Sequence, residues 1–439
     1  MLLIIGIRNL KKVVINMRSV GILTLGCKVN MYESEYITNL LKESGYIIKS
    51  FDDVCDVYII NTCTVTNTSD IKSRKMIRNA IKKNPDACVV AMGCFIEANK
   101  DYNIEGLDIV LGNKDKSKIV NLLDEYFTKK EKIIKLYSDP KSQFEDMYIT
   151  NFPGRTRAFV KIQDGCENFC SYCIIPFVRG KCRSKETTKV ISEITELVAN
   201  GYKEVVLTGI HTGNYGVDLD TNFASLLRQI VKIPGLIRLR ISSIEITELT
   251  DEVLSVIKEN PIIVDHLHIP LQAGSDEVLK LMNRKYNLEK FFEIIAKIRT
   301  IRPNISITTD VIVGFPGETE EMFEETIKTC QKLKLSKIHV FPYSERQGTK
   351  AIELPNHVPS EEKKRRARRL LEVSKELEMS YFNEYLNKEV EVLIEESKDG
   401  ASLGHTGNYL HVKIMKELEH NTFVKVTITK IEYPYCIAE

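Results

Sequence analysis

The segment Lys161-Ile162-Gln163-Asp164-Gly165-Cys166-Glu167-Asn168-Phe169-Cys170-Ser171-Tyr172-Cys173 carries three cysteines spaced C-x3-C-x2-C, directly after the apolar run Ala158 to Ile162. Thiolates are the ligands that hold iron–sulfur clusters. A cubane has four irons, so three cysteines leave one iron open to a substrate or cosubstrate. Zinc is the plainer alternative, but it wants a fourth Cys or His at matching spacing, and Cys182 is the candidate nearby. Three more cysteines, Cys27, Cys63 and Cys94, lie far apart in sequence. Each nevertheless follows an apolar stretch, in a segment rich in Gly, Asn or Thr.

The elements that must position this second trio can be read from the pattern. Val20 to Leu25, Val57 to Ile60 and Val89 to Met92 read as buried strands, with helices from about Glu33 to Glu43 and about Asp70 to Lys83 between them. Alternating strands and helices imply a doubly wound parallel sheet. In such a sheet the carboxyl ends of the strands share one edge, where ligands bind. Cys27, Cys63 and Cys94 are thereby brought together, which suggests a second three-thiolate cluster with an open iron. Cys55 and Cys88, at or before strand starts, read as ordinary buried thiols. The charged segment Asn121 to Asn151 reads as a linker.

Beyond the first cysteine loop, strand candidates recur at Glu204 to Leu207, Arg238 to Ser242, His266 to Leu271, Ser306 to Val313 and Lys337 to Phe341. With the strand at Ala158 they make about six βα units, an open (βα)6 relative of the TIM barrel whose strand ends should carry the chemistry. Polar or glycine residues stand at those ends: Thr208-Gly209-Ile210-His211, Ser242-Ser243, Gln272-Ala273-Gly274-Ser275 and Gly314 to Glu318. His211 reads as a loop residue and Ser275 as a helix N-cap. A helix opening at Ser360 bears Lys363, Lys364, Arg365, Arg366, Arg368 and Arg369. Short strands then follow at Val390 to Ile394, Tyr409 to Ile414 and Phe423 to Ile428, which suggests a small barrel.

At 439 residues the chain is expected to hold two or three domains. The net charge of +2 means that any surface for a polyanion must be local. Eleven cysteines, an odd number clustered beside strand ends, fit metal ligation in a reducing compartment better than a disulfide framework. The opening residues, apolar first and basic afterwards, reverse the order of a signal peptide, and no run of eighteen apolar residues predicts a membrane span. Met17 begins a more natural start, so residues 1–16 read as a non-essential extension.

The loop at Cys166, Cys170 and Cys173, with Tyr172 before its last cysteine, resembles the signature of radical S-adenosylmethionine (SAM) enzymes. Thr24-Leu25-Gly26-Cys27-Lys28-Val29-Asn30, Asn61-Thr62-Cys63-Thr64-Val65-Thr66 and Met92-Gly93-Cys94 resemble the amino-terminal domain of methylthiotransferases. Their Gly-Cys-Lys-Val-Asn and Cys-Thr-Val-Thr forms are similar to the branch acting on N6-threonylcarbamoyladenosine in tRNA, although Met31 stands where that branch usually has Gln. Asn387 to Leu393 and Gly404 to Tyr409 resemble the TRAM module, an OB-like RNA-binding barrel.

The resemblance implies two [4Fe–4S] clusters, one on Cys166, Cys170 and Cys173 and one on Cys27, Cys63 and Cys94. It also implies SAM held near Thr208, Gly209, Ser243 and Gln272, where the acid common at such a Gly-Gly-Glu position is missing after Gly209. The implied reaction is a radical abstraction at adenine C2 followed by methylthio transfer, giving the 2-methylthio derivative at position 37, next to the anticodon. Implied partners are tRNA and an electron donor such as flavodoxin or ferredoxin, with no membrane and a cytoplasmic location. The expected domains are 17–135 for the auxiliary cluster, 150–382 for the radical SAM core and 383–439 for the TRAM module. Competing readings are methylthiolation of isopentenyladenosine in tRNA or of a ribosomal-protein aspartate, and an RNA-binding protein with structural zinc.

Overall fold

A computed structural model describes residues 18–136 and 143–439; the extension 1–16 lies outside the described residues. The amino-terminal part runs β1 (Ser19–Thr24), α1 (Lys28–Glu43), β2 (Ile47–Lys49), β3 (Val57–Thr62), α2 (Asn67–Lys83), β4 (Cys88–Gly93), α3 (Cys94–Ala98), β5 (Ile109–Leu111), α4 (Ile119–Lys129) and β6 (Ile133–Lys135). Its six strands are ordered β2-β1-β3-β4-β5-β6, every pair parallel. A parallel sheet covered on both faces needs strands apolar on both faces. β3 and β4 are buried along their whole length, and β3 is apolar up to Asn61 and Thr62 at its carboxyl end. Val57 and Ile59 pack with α1 and α4 on one side, while Tyr58 and Ile60 pack with α2 and α3 on the other.

Three boundaries differ from the expectations. α1 starts at Lys28, with Cys27 at its N-cap, because Val29, Asn30, Tyr32 and Glu33 are all drawn into the interior. α2 starts at Asn67, where the Thr66 hydroxyl accepts from the Ser69 N–H at 3.2 Å. The first half of the expected linker is not a linker: residues 121–135 complete α4 and the edge strand β6, whose apolar residues are spent inside the sheet domain.

The central part runs β7 (Arg157–Lys161), β8 (Gln163–Asp164), α5 (Ile175–Arg179), β9 (Arg183–Ser184), α6 (Thr187–Ala199), β10 (Glu204–Thr208), α7 (Phe223–Ile230), β11 (Arg238–Ile241), α8 (Asp251–Glu259), β12 (His266–His268), α9 (Asp276–Leu281), α10 (Leu288–Ile301), β13 (Ser306–Val313), α11 (Glu320–Lys332) and β14 (Lys337–Pro342). Two parallel sheets, β11-β10-β7 and β12-β13-β14, are joined by a bridge from Leu239 to Ile263. The short antiparallel pair β8–β9 clasps the cysteine loop at its base.

After α12 (Ser360–Asn383) the chain forms β15 (Glu389–Lys398), β16 (Ala401–Thr406), β17 (His411–Ile414), β18 (Phe423–Glu432) and β19 (Tyr435–Ala438), closed in the order β15-β16-β17-β19-β18. The basic run on α12 is largely neutralised within the chain. Arg366 is buried against Glu318 at 2.8 Å, Arg365 pairs with Glu320 and Glu362, and Arg369 pairs with Glu324. Acids at the start of α11 thus answer a cation stripe that periodicity alone presents as free.

Candidate functional site

The first trio sits where three strand ends meet. Cys27 caps α1, Cys63 follows β3, and Cys94 opens α3 after β4. Gly26 makes this approach possible. At φ +102° it occupies backbone that favours glycine, and a Cβ there would lie 2.9 Å from the Cys63 Sγ. Asn30 fixes the turn by donating to the carbonyls of Leu25 and Thr62, at 2.7 and 3.0 Å. Burial raises the Cys27 thiol, and the Arg179 guanidinium works against it. Burial likewise raises Cys63, with Cys94 and Cys27 adding to the rise.

The second trio lies in the loop between β8 and α5. Gly165, at φ +78°, turns the chain so closely past Lys181 that a Cβ would meet that carbonyl oxygen at 1.9 Å; only glycine fits. Arg284, just beyond α9, donates to the Cys170 Sγ at 3.2 Å and pairs with Glu245, which follows β11. Burial pushes Cys173 up to about 12, and raises Cys170 against the opposing pull of Arg284. His211 lies in the loop after β10, as its sequence reading has it, but it is not exposed there. It is buried beside the Cys166 Sγ at 3.8 Å and paired with Glu248. Burial pulls its imidazolium down, but contacts with Cys166, Cys182 and Glu248 outweigh that and push it up to about 12. Its backbone N–H donates to the Gln163 side-chain carbonyl at 2.7 Å.

Arg179, the last residue of α5, joins the two trios. Its Nε donates to the Cys94 Sγ at 3.3 Å, and its Nη2 donates to the Asn30 side-chain oxygen at 2.8 Å. Its Nη1 reaches Glu33 at 3.1 Å and Asp164 at 3.0 Å. Lys161 also binds both carboxylates, at 2.9 and 2.7 Å, and Lys116 pairs with Glu33. All these groups are buried. Arg183 adds a fourth cation, 3.7 Å from Asp164. Four cations therefore face two carboxylates, leaving net positive charge beside the thiolates. Against the cost of burial, Arg179 with Lys116 and Lys161 holds the Glu33 carboxyl below the usual range, and Arg179 with Lys161 and Arg183 holds the Asp164 carboxyl well below it.

This donor set fits iron–sulfur clusters. A tetrahedral zinc at about 2.3 Å from each sulfur brings sulfurs to about 3.8 Å of one another. Among the described residues, no trio of cysteine sulfurs lies mutually within 4.8 Å. Thiols must lose protons to bind metal, and the Arg284 guanidinium in contact with Cys170 favours that loss against burial.

The positions expected to contact SAM fall along one edge. Thr208 ends β10 in register with Lys161 of β7, and Gly209 follows it, packed against Gln163. Ser243 follows β11. Gln272 has a left-handed backbone (φ 64°) tied into β13 by hydrogen bonds with Asp310 and Ile312. Ser275 occupies the N-cap of α9, as its sequence reading has it, though without a side-chain capping bond. Glu33, Asp164, Arg179, Glu245 and Arg284 carried no signal in isolation. An arginine six residues after Cys173 is a faint one, and only the tertiary fold gives it meaning.

The sequence matches the Radical SAM superfamily over residues 160–330 and Uncharacterized protein family UPF0004 over residues 19–112. It is 45% identical over 431 residues to the threonylcarbamoyladenosine tRNA methylthiotransferase MtaB of Bacillus subtilis (strain 168), covering 95% of each chain. With the protein of the same name from Thermotoga maritima it shares 39% over 86% of this chain and 87% of that one. A tRNA-2-methylthio-N(6)-dimethylallyladenosine synthase from Carboxydothermus hydrogenoformans is 38% identical over 81% of this chain and 83% of its own. In fold the chain is similar to the radical SAM methyltransferase TsrM of Kitasatospora setae, solved with cobalamin and a [4Fe–4S] cluster, at TM-score 0.55 and 14% identity, covering 76% of this chain and 77% of that one. Two thiol trios on facing strand ends, in a chain this close to such relatives over nearly its full length, place it without ambiguity: it belongs to the radical SAM methylthiotransferase family, in its threonylcarbamoyladenosine tRNA branch.

Proposed function

We propose that this protein replaces the hydrogen on C2 of N6-threonylcarbamoyladenosine, at position 37 beside the anticodon of tRNA, with a methylthio group. The observation that carries the reading is a pair of thiol trios whose segments meet at Arg179, bonded to Cys94 and to Asp164 two residues before Cys166, in a chain whose full-length relatives are named for that reaction. Cys166, Cys170 and Cys173 hold one [4Fe–4S] cluster, and Cys27, Cys63 and Cys94 hold the other. SAM bound at the first supplies, on reductive cleavage, the radical chemistry that an unactivated aromatic C–H requires and that acid–base side chains cannot provide.

The chain's own residues bind, orient and neutralise. Thr208, Gly209, Ser243 and Gln272 line the edge that receives SAM. Arg284 and Arg179 keep positive charge on the cluster thiolates and lock their loops. Residues 17–135 serve as the auxiliary-cluster domain and 150–382 as the radical SAM core, an open (βα)6 relative of the TIM barrel. Residues 383–439 serve as an OB-like TRAM module that grips RNA. The electron donor is a flavodoxin or ferredoxin. The work on tRNA takes place in the cytoplasm; no described helix is long and apolar enough to cross a membrane.

Nucleoside mass spectrometry of bulk tRNA from strains with and without the gene tests this. The 2-methylthio derivative of threonylcarbamoyladenosine should vanish on deletion and return on complementation. Loss of a methylthio mark from isopentenyladenosine or from a ribosomal protein instead would overturn the assignment.

A further inference from the structure

A cavity of about 210 Å³ runs along the inside of the open barrel, between β11, β12, the small C-terminal barrel and Lys28, the residue after Cys27. Its polar groups do not balance. Glu204 is held by Arg240 Nε at 2.9 Å, Glu378 by Lys337 at 2.8 Å, and Asp310 faces His268 at 3.4 Å. The acids near the cavity are thus occupied, while Lys28, Arg240 and His266 among its lining residues keep nitrogens without a partner.

The Nη2 of Arg240 is buried without a hydrogen-bond partner, in a side chain only 3% exposed, and so is the Nδ1 of His266, a residue 6% exposed. Lys28 makes no hydrogen bond or ion pair among the described residues. A buried guanidinium N–H left unmade costs free energy, and a second cation beside it adds repulsion. Arg240 cannot shed its charge. Tyr409 stacks on His266 with ring centroids 4.6 Å apart and lies under the Arg240 guanidinium at 4.7 Å, which holds both orphan nitrogens in place.

We propose that this cavity is the specificity pocket for the modified base: Lys28 and Arg240 Nη2 together take the free carboxylate of the threonyl group, and His266 Nδ1 bonds an oxygen or N–H of the same substituent. This rests on the substrate reading given above. A planar guanidinium and an ammonium converging on one empty volume match a carboxylate in charge and in donor number. Lys28 follows Cys27 directly, so the N6 substituent enters the cavity while C2, on the same ring, stays by the cysteines. A dimethylallyl group offers no oxygen or charge, and would leave the same donors orphaned. Pockets built for a polar group reject analogues that lack it by leaving their own groups unpaired.

Two anticodon stem-loop oligonucleotides, one with the free threonyl carboxylate and one with that carboxylate capped as a methylamide, provide the test. Wild type should bind the free acid about 10- to 100-fold tighter than the amide, the range for a charge-assisted hydrogen bond. Lys28→Gln, at a solvent-accessible position without bonds to lose, should shrink that ratio severalfold, by weakening the free acid and sparing the amide. Arg240→Lys should do the same in part, provided its circular dichroism and melting match wild type. Equal binding of both oligonucleotides by wild type, or an undiminished ratio in Lys28→Gln, overturns the pocket assignment. A wild type that discriminates by the carboxylate but never methylthiolates C2 overturns the proposed reaction and leaves the pocket standing.

Discussion

The two cysteine trios reach similar ends by opposite routes. Cys166, Cys170 and Cys173 lie within eight residues of one another on one loop, and the local chain does most of the positioning through Gly165 and the β8–β9 clasp. Cys27, Cys63 and Cys94 span 68 residues and meet only because three parallel strands end at one edge. A local site depends on one backbone turn, whereas a distributed site depends on the register of a whole sheet. The first is therefore sensitive to single changes in its loop, and the second to anything that shifts one strand against another.

Removing one trio at a time is the most severe way to separate them. Replacing Cys166, Cys170 and Cys173 by Ala should leave about half the iron, because each trio holds its own cluster, and should abolish SAM cleavage. The matching replacement of Cys27, Cys63 and Cys94 should keep SAM cleavage and stop sulfur insertion. Loss of all iron from either variant would show that the sites are not independent. Cys55, Cys88, Cys182, Cys330 and Cys436 should be dispensable for iron.

Arg179 is where the comparison can be broken, since it belongs to one trio's segment and touches the other. Arg179→Met leaves Glu33 and Asp164 short of a buried partner, which costs about 3–5 kcal/mol. The melting temperature should fall, and the auxiliary trio should lose iron although no cysteine was touched. Arg179→Lys should recover part of the stability but not the bond to Cys94. Retention of full iron and stability in Arg179→Met would reduce the bridge to a bystander.

Single glycines sharpen the contrast at smaller cost. Gly165→Ala meets a backbone oxygen at 1.9 Å and adds the strain of a positive φ, of order 1–3 kcal/mol before the clash. Gly26→Ala, also at positive φ, meets the Cys63 Cβ at 2.8 Å, a milder clash than 1.9 Å to a backbone oxygen. Iron analysis of the two variants should show the greater loss in Gly165→Ala.

Acidity probes the same junction. Glu33 and Asp164 have folded pKa values below their unfolded ones, so their contribution to stability is fully present above the unfolded carboxylate range and is lost as pH falls through the depressed folded values. Thermal unfolding followed from pH 7 downward should therefore show the junction intact near pH 5 and failing only well below pH 4. An early loss near pH 5 would mean that these carboxylates are not ionised in the folded protein. The smallest effect is expected on the outer face of α12. Neutralising Lys364 and Arg368 should lower the salt slope of tRNA binding by about one unit or less per residue, since only phosphate-bound cations release counterions.

The sequence displayed the six strands of the two central sheets and the three amino-terminal strands that precede Cys27, Cys63 and Cys94, because apolar runs and strand-end polar residues are local signals; the three-residue strands β2, β5 and β6 are too short to give one. Ser306 to Val313 was legible to the residue. Other elements were not. The start of α1 was hidden because Lys28 and Asn30 look like loop residues until burial of Val29 and Glu33 is known. β16 and β19 escaped because Gly404 and the terminal Tyr435–Ala438 give no alternation of their own; ring closure makes them strands. The ionic hub was illegible for a deeper reason: Glu33, Lys116, Lys161, Asp164 and Arg179 are spread over 147 residues, and each alone resembles a surface charge. Likewise, the cations of α12 looked available because their acidic partners lie on another helix.

The hub also bears on modularity. A domain that meets its neighbour through apolar contacts can be exchanged with modest loss, since hydrophobic surfaces tolerate imperfect partners. Here Glu33 and Lys116 come from the amino-terminal domain, while Lys161, Asp164 and Arg179 come from the core. A chimera joining this amino-terminal domain to a core without those three residues would leave Glu33 with Lys116 alone in place of three cations, and the reverse chimera would bury Lys161 and Arg179 without Glu33. The two halves therefore act as a matched pair, and exchanging either one must carry the charge code on both sides of the seam.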